Sequence, residues 1–196
     1  MWQRAGVRRA LLALIVVLAV LLAGVTVAAL HYQPLESAGW FSSLEVTGAD
    51  GQPLAGAVTR KEGIVFPDEA LATVKTLDSQ IVMVFPIDNH GRYPVRVTKV
   101  LAPGDHPLFA QSSVSMGDEH GGSPSRPFRP VTLRPGDVRT IKVRARPACL
   151  GTPHTPDIRY VLSQTWVEYS FLGVHHTARI PLQSYGFAIQ GIKVCD

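Results

Sequence analysis

The sequence has few cysteines and none of the common catalytic signatures. Cys149 and Cys195 are the only cysteines among 196 residues, and no CxxC spacing occurs. The chain also lacks a P-loop, a G-x-G-x-x-G fingerprint, an HExxH pair and a G-x-S-x-G elbow, which hold phosphates, dinucleotides, zinc or a nucleophilic serine in many enzymes. The sequence therefore predicts a protein that is not an enzyme and that needs no cofactor.

An excess of positive charge is confined to the N-terminus. The formal net charge is +4, and Arg4, Arg8 and Arg9 precede the first acidic residue. Residues 31–196 therefore hold 16 of the 19 basic residues against all 15 acidic ones. A region so close to neutrality lacks the electrostatic footprint that nucleic-acid binding requires, so we expect no nucleic-acid partner.

A long apolar run extends from Ala10 to Leu30. Its 21 residues carry no charge, and Thr26 is their only polar residue. At about 1.5 Å per residue a helix of this length spans roughly 30 Å, the thickness of a bilayer's hydrocarbon core. We predict a basic cytoplasmic tail over residues 1–9 and one transmembrane helix over residues 10–30.

The flanks of the run predict its orientation. Arginines lie only on the N-terminal side, which favours a cytoplasmic N-terminus and an extracytoplasmic C-terminal domain at the cell membrane. A cleaved signal peptide is the alternative, with Val27 and Ala29 as the small residues before the cleavage point. Signal h-regions usually hold about 7–15 apolar residues, so an uncleaved anchor is the favoured reading. Trp2 and Tyr32 are candidate interfacial anchors.

Residues beyond the run show the pattern of an all-β domain. We predict a stalk over residues 31–40, where Pro34 opposes helix continuation, and a domain over residues 41–196. Short β-rich stretches recur between turn residues, with a short helical turn expected at 67–78, and Gly173 marks a hairpin turn. The expected strands include Gln80–Ile87, a strand around Val95 and Val97, Val131–Leu133, Val138–Arg146, Tyr160–Phe171, Val174–Leu182 and Phe187–Val194. Seven to nine such strands favour an antiparallel β-sandwich.

Two motifs carry a resemblance to known domains. FPIDNHGRYPVRVTKV and LRPGDVRTIKVRA resemble segments of the immunoglobulin-like sandwiches of bacterial surface proteins, at Asn89, Gly91, Val95, Val97, Leu133, Pro135, Gly136 and Asp137. The layout of the chain is similar to that of uncharacterised single-span, membrane-anchored proteins of actinobacteria. The resemblance implies an immunoglobulin-like fold and no activity, because the motifs describe turns and not chemistry.

The two cysteines lie in the half that we expect to be exported. Thiols outside the cytoplasm tend to oxidise, so Cys149 and Cys195 are expected to form a structural disulfide. Such a bond would join the C-terminal tail to the segment after the Val138–Arg146 strand. Two free thiols are the alternative.

A candidate binding surface follows from the Val138–Arg146 strand. Lys142, Arg144 and Arg146 share one face of it, and Ile141, Val143 and Ala145 share the other. The basic face can bind an anionic wall component, lipid headgroups or an acidic envelope protein. The alternatives are a solvated face and an edge strand protected by charge.

A metal site is the second hypothesis for function. The expected loop from Pro103 to Pro130 holds His106, Met116 and His120, and imidazole with thioether ligands suits Cu(I). His175 and His176 are adjacent, so on a strand they point to opposite faces and do not chelate one ion together. The leading hypothesis is a membrane-tethered interaction module of the bacterial cell envelope, and the alternatives are copper handling and hydrolysis.

Overall fold

One long helix precedes the β-rich part of the molecule. The computed structural model describes residues 2–38, 43–61, 69–74, 76, 78–101, 109–117, 126–147 and 159–189. Helix α1 runs over Trp2–Leu30, and its segment Leu11–Leu30 has a mean hydropathy of 3.0 with almost all of its side chains exposed. The helix begins earlier than the predicted span because Gln3, Arg4 and Ala5 are also good helix formers. Its length and composition make it a candidate membrane anchor.

The strands form two six-stranded sheets. In chain order they are β1 (Leu35–Ser37), β2 (Ser43–Thr47), β3 (Val58–Lys61), β4 (Glu69–Val74), β5 (Gln80–Asn89), β6 (Val95–Leu101), β7 (Phe109–Gly117), β8 (Arg126–Pro127), β9 (Val131–Leu133), β10 (Val138–Pro147), β11 (Arg159–Phe171) and β12 (Val174–Ile189). Sheet A has the order β1-β5-β10-β7-β8, with β2 also paired to β5. Sheet B has the order β3-β4-β12-β11-β6-β9. All pairings between these strands are antiparallel except the parallel pair β4 and β12.

A single hydrophobic core joins the two sheets. Phe85 and Ile141 of sheet A and Val97, Tyr169 and Ile180 of sheet B are almost fully buried in one cluster. Along β6 and β10 the buried residues alternate with exposed ones, as expected for strands with one face on a core. The described residues of β5 are buried on both faces, as the apolar run in its sequence predicts. The domain is therefore all-β, with the core between its sheets.

The predicted strand positions are largely confirmed. Strands β5, β9, β10 and β11 match their predicted ranges within two residues. The turn at Gly173 is also confirmed: Leu172 has φ 49° and Gly173 has φ 81°, the two positive angles that a tight hairpin turn requires. The two strands predicted after this turn form one continuous strand, β12. Its first part pairs with β11 alone, and its last part pairs with both β11 and β4.

Three sequence-based predictions need correction. The helical turn expected at 67–78 contains strand β4, which is held by β3 on one side and β12 on the other. The stalk expected at 31–40 contains β1, whose Leu35 is buried against the core. The loop expected from Pro103 to Pro130 contains β7, a nine-residue strand paired with β10. In each case pairing with a distant strand determines the local structure.

The two resemblance motifs meet in the structure at Asn89. Its side-chain amide donates to the carbonyls of Leu133 and Tyr93, each at 2.9 Å, and its Oδ1 accepts from Gly91 N at 2.9 Å. Asp137 closes the adjacent turn by accepting from Arg134 N at 2.9 Å. Asn89 is fully buried, so these bonds satisfy polar atoms that water does not reach. The motifs thus fix one end of the domain.

Candidate functional site

The predicted basic residues lie together on the outer face of sheet A. Lys142, Arg144 and Arg146, which we call the basic strip, alternate along β10 with the buried Val143 and Ala145. Alternate residues of a strand are roughly 7 Å apart, so the strip extends over about 14 Å. Strand β10 is paired with β5 and β7 on its two sides. The strip is therefore central in the sheet, which rules out the protection of an edge strand as its role.

A shallow groove lies beside the strip. Its volume is about 390 Å³, and it is lined by Gln80, Ser112, Ser113, Arg144 and Arg146. Ser113 is directly opposite Arg144 in the register of β7 and β10. The two guanidinium groups, the serine hydroxyls and the glutamine amide can all donate hydrogen bonds. Together they suit a phosphate, sulfate or carboxylate group.

The strip has no carboxylate partner within the described part of the chain. There, the one ion pair is between His90 Nε2 and Asp88 Oδ2, at 2.6 Å, near the end of β5. Glu45 of β2 is in register with Arg144 across β5, two strands away, or about 10 Å at the spacing of paired strands. No described carboxylate therefore competes with an external anion for the basic strip.

Asp88 is a buried carboxylate with a partly satisfied side chain. Burial raises the pKa of Asp88 above its ordinary value, the imidazole of His90 opposes that rise, and the nearby Glu36 adds to it. Its Oδ1 is buried and has no hydrogen-bond partner among the residues described. The charged form of Asp88 is therefore disfavoured in the folded state.

The proposed copper ligands are only partly described. His106 and His120 lie outside the described residues, so the structure does not test them. Met116 is on β7, opposite Ile141, and is half-buried against the hydrophobic core. Met116 therefore lies on a strand and not in a loop, and its role as a copper ligand stays a prediction. No group of three His, Cys, Asp or Glu side chains is placed to hold a metal in the described ranges.

The remaining sequence-based candidates have different outcomes. Cys149 and Cys195 lie outside the described residues, and their disulfide stays a prediction. His175 is exposed while His176 is half-buried and stacks on Tyr169, with ring centroids 4.9 Å apart. The two histidines thus point to opposite faces of β12, as the sequence predicts.

A second cluster, at the end of α1, was largely missed from the sequence. The ring of Tyr32 packs on Phe171 with centroids 4.3 Å apart and on Tyr93 at 6.0 Å. Its hydroxyl accepts from Tyr93 N at 2.9 Å, and its carbonyl accepts from the Tyr169 hydroxyl at 2.5 Å. We call Tyr32, Tyr93, Tyr169 and Phe171 the helix-end cluster. Tyr32 was expected at a membrane interface, but no sequence signal joins it to residues more than 60 positions away.

Tyr169 anchors this cluster to the core. Its side chain is fully buried, and burial raises the pKa of Tyr169 to about 12, with a smaller contribution from Tyr32. Gly91 lies against the same cluster. A Cβ built on Gly91 would be 2.5 Å from Pro34 Cβ and 2.8 Å from Tyr32 Cζ, so only glycine fits there.

A third feature is a groove of about 630 Å³ between the end of α1 and the domain. Val25, Ala28 and Ala29 line its helix side, and Tyr93, Phe171 and Leu172 are among the residues on its domain side. Two of the latter expose most of their surface: Tyr93 is 57% exposed and Leu172 is 68% exposed. Exposed apolar side chains in a continuous patch are typical of surfaces that contact a membrane or a partner.

Comparisons with known proteins give no family. No protein-family model matches the chain, and no curated protein is significantly similar to it. Among solved structures, a family 123 glycoside hydrolase from Clostridium perfringens has 9% identity and a TM-score of 0.35. The alignment covers 76% of this chain and 27% of that chain, so this chain spans about a quarter of that hydrolase. A likeness this weak carries no argument about fold or activity.

Proposed function

We propose that this protein is a membrane-tethered binding module of the bacterial cell envelope, and that its basic strip binds an anionic partner. Three cations on the outer face of sheet A, with no carboxylate partner among the described residues, are the single observation that carries this proposal. Neighbouring like charges roughly 7 Å apart repel by about 0.6 kcal/mol in water. An anion that binds beside Arg144 and Arg146 relieves this repulsion and gains charge-assisted hydrogen bonds.

The proposal includes a location and a fold family. Helix α1 is the anchor, Arg4, Arg8 and Arg9 keep the N-terminus in the cytoplasm, and the domain faces outward. The sheets belong to the immunoglobulin-like class and the source is an actinobacterium, on the resemblance of the turn motifs and of the chain layout. A C-terminal alkaline phosphatase fusion is expected to be active, because that enzyme folds only outside the cytoplasm. An active cytosolic reporter at the same position would refute the orientation.

The expected partner is a component that carries repeated phosphate or carboxylate groups. The strip lies on β10 and begins four residues beyond Val138, near the end of the domain that holds α1. The strip therefore starts roughly 14 Å from that end, more than a Debye length at physiological ionic strength. This distance favours an envelope polymer or an acidic envelope protein over the lipid headgroups of the protein's own membrane.

The test compares two charge-reversed forms of the full-length protein in lipid nanodiscs. Lys142, Arg144 and Arg146 are changed together to Glu, and the control changes the exposed Arg92, Arg129 and Arg134 to Glu. Binding of fluorescent inorganic polyphosphate and of polyglutamate is measured by anisotropy at low and at physiological salt. Loss of about 1 kcal/mol for each of three surface contacts weakens binding at least about 100-fold in the strip variant.

The control separates site-specific binding from general attraction. Because both variants have the same net charge, equal losses would show that the strip has no special role. Unchanged binding by the strip variant would discard this surface. Affinity capture of the tagged protein from native membranes, with the same two variants, then identifies the natural partner. A partner that the control retains and the strip variant loses is the expected result.

A further inference from the structure

We infer that the groove at the end of α1 is a lipid-binding site that takes an acyl chain of one phospholipid from the leaflet next to the domain. The inference rests on the proposed function in one respect, the membrane anchor. The site lies on the opposite sheet from the basic strip, and it binds a different class of ligand.

The position of the groove identifies its occupant. Val25 and Ala28 belong to the last two turns of the apolar helix, so about 3–8 Å of helix separates them from its end at Leu30. If α1 spans the bilayer, this depth lies among the acyl chains just below the headgroups. At that depth the helix side of the groove faces lipid. An acyl chain is therefore the molecule that fills it.

The lining of the groove is amphipathic in the same sense as a phospholipid. Its helix side is apolar, whereas Arg96, Ser170 and Thr132 line its domain side. These three are direct neighbours across β11, β6 and β9 in the register of sheet B. Arg96 is exposed and has no carboxylate partner among the described residues. Its guanidinium suits a lipid phosphate, because guanidinium and phosphate form two parallel hydrogen bonds.

The surrounding surface fits a membrane contact. Leu172 and Gly173 form the tip of the β11–β12 hairpin beside the groove, and Leu172 exposes 68% of its surface. Tyr93 is also exposed, and tyrosine is enriched where one end of a side chain is in lipid and the other in water. The helix-end cluster fixes this end of the domain against α1, so the tip and the helix present one continuous surface to the bilayer.

The experiment is photocrosslinking of the full-length protein in nanodiscs of phosphatidylglycerol and phosphatidylethanolamine. A phosphatidylglycerol with a diazirine on one acyl chain is the probe, and mass spectrometry locates the adducts. Adducts are expected on the domain residues Tyr93 and Leu172 as well as on α1. Ala28→Trp fills the groove from an exposed helix position and should lower the domain adducts about tenfold. A tenfold loss of affinity corresponds to about two methylene groups of the acyl chain that are no longer buried.

The control variant is Ala19→Trp, an equal change on α1 away from the groove, and it should keep the domain adducts. A diazirine fatty acid, which has no phosphate, is the second probe. Arg96→Gln should lower labelling by phosphatidylglycerol relative to labelling by the fatty acid, since the phosphate contact is lost. Adducts on α1 alone, or equal domain labelling in Ala28→Trp and Ala19→Trp, would overturn the inference. Carbonate extraction of native membranes tests the anchor separately: a chain that is extracted refutes the tether, whereas a retained chain without domain adducts refutes only the lipid site.

Discussion

The substitution Gly91→Ala tests the joint between α1 and the domain. The added methyl would overlap the Tyr32 hydroxyl and lie 2.5 Å from Pro34 Cβ, so Tyr32 must leave its place. Tyr32 would then lose two hydrogen bonds to Tyr93 and its ring contact with Phe171. At about 0.5–1.5 kcal/mol for each interaction, the free energy of unfolding should fall by roughly 2–4 kcal/mol.

The measurement is thermal unfolding of the full-length protein in detergent, followed by circular dichroism. For a domain of this size a change of 1 kcal/mol moves Tm by about 2–4 °C, so we expect a decrease of roughly 5–15 °C. Gly51→Ala is the comparison variant for a change without crowding, because Gly51 has φ 77° and no atom close to the site of a Cβ, whereas Gly91 has no positive φ. That change introduces backbone strain of about 1–2 kcal/mol without crowding.

A double-mutant cycle then assigns the effect to Tyr32. Tyr32→Ala removes the ring that the methyl group added at Gly91 would meet, so the double variant should lose at least about 1 kcal/mol less than the sum of the single changes. A parent-like Tm for Gly91→Ala, or full additivity with Tyr32→Ala, would refute the reasoning.

Two further predictions concern buried titratable groups. Burial raises the pKa of Asp88, so the folded state disfavours its charge and loses stability as pH rises through the range above the ordinary value of 3.8. Asp88→Asn should therefore be more stable than the parent at neutral pH, with a gap that closes toward pH 4 in urea titrations; a gap independent of pH would contradict this. The pKa of Tyr169 is raised from 10.0 to about 12, so its contribution to stability is lost as pH rises across that interval. Tyr169→Phe should be less stable at pH 8 by about 1 kcal/mol, the net value of one hydrogen bond, but less sensitive to alkali, and equal alkaline slopes would exclude Tyr169 as the titrating group.

The parts of the fold that were predictable have strong local patterns. The apolar run of α1, the buried run of β5 and the alternation of β10 each determine their own structure from a few neighbouring residues. The basic strip was predictable for the same reason, because period-two alternation places Lys142, Arg144 and Arg146 on one face. Its central place in sheet A was not, since that depends on pairing with β5 and β7.

Other parts depend on contacts between distant segments. Strand β7 has the sequence FAQSSVSMG, which shows little apolar alternation, and it forms because β10 supplies a complete set of partners. The groove at the end of α1 joins residues of α1, the β5–β6 turn and the β11–β12 hairpin. Each segment looks ordinary alone: a helix end, a turn and a hairpin tip. Only the tertiary fold brings their apolar side chains together, so no local pattern predicts the site.

The parallel pair of β4 and β12 has a consequence for how the domain matures. Tyr185 pairs with Ala70 and Ile189 with Val74, so this ladder joins segments more than a hundred residues apart. A loop of that length forms late, because its ends meet only after the intervening chain has been synthesised. Until then the β4 edge has no neighbour on the β12 side and is open to pairing with other chains. During biogenesis, a nascent chain released before Tyr185 would therefore be prone to aggregation and proteolysis.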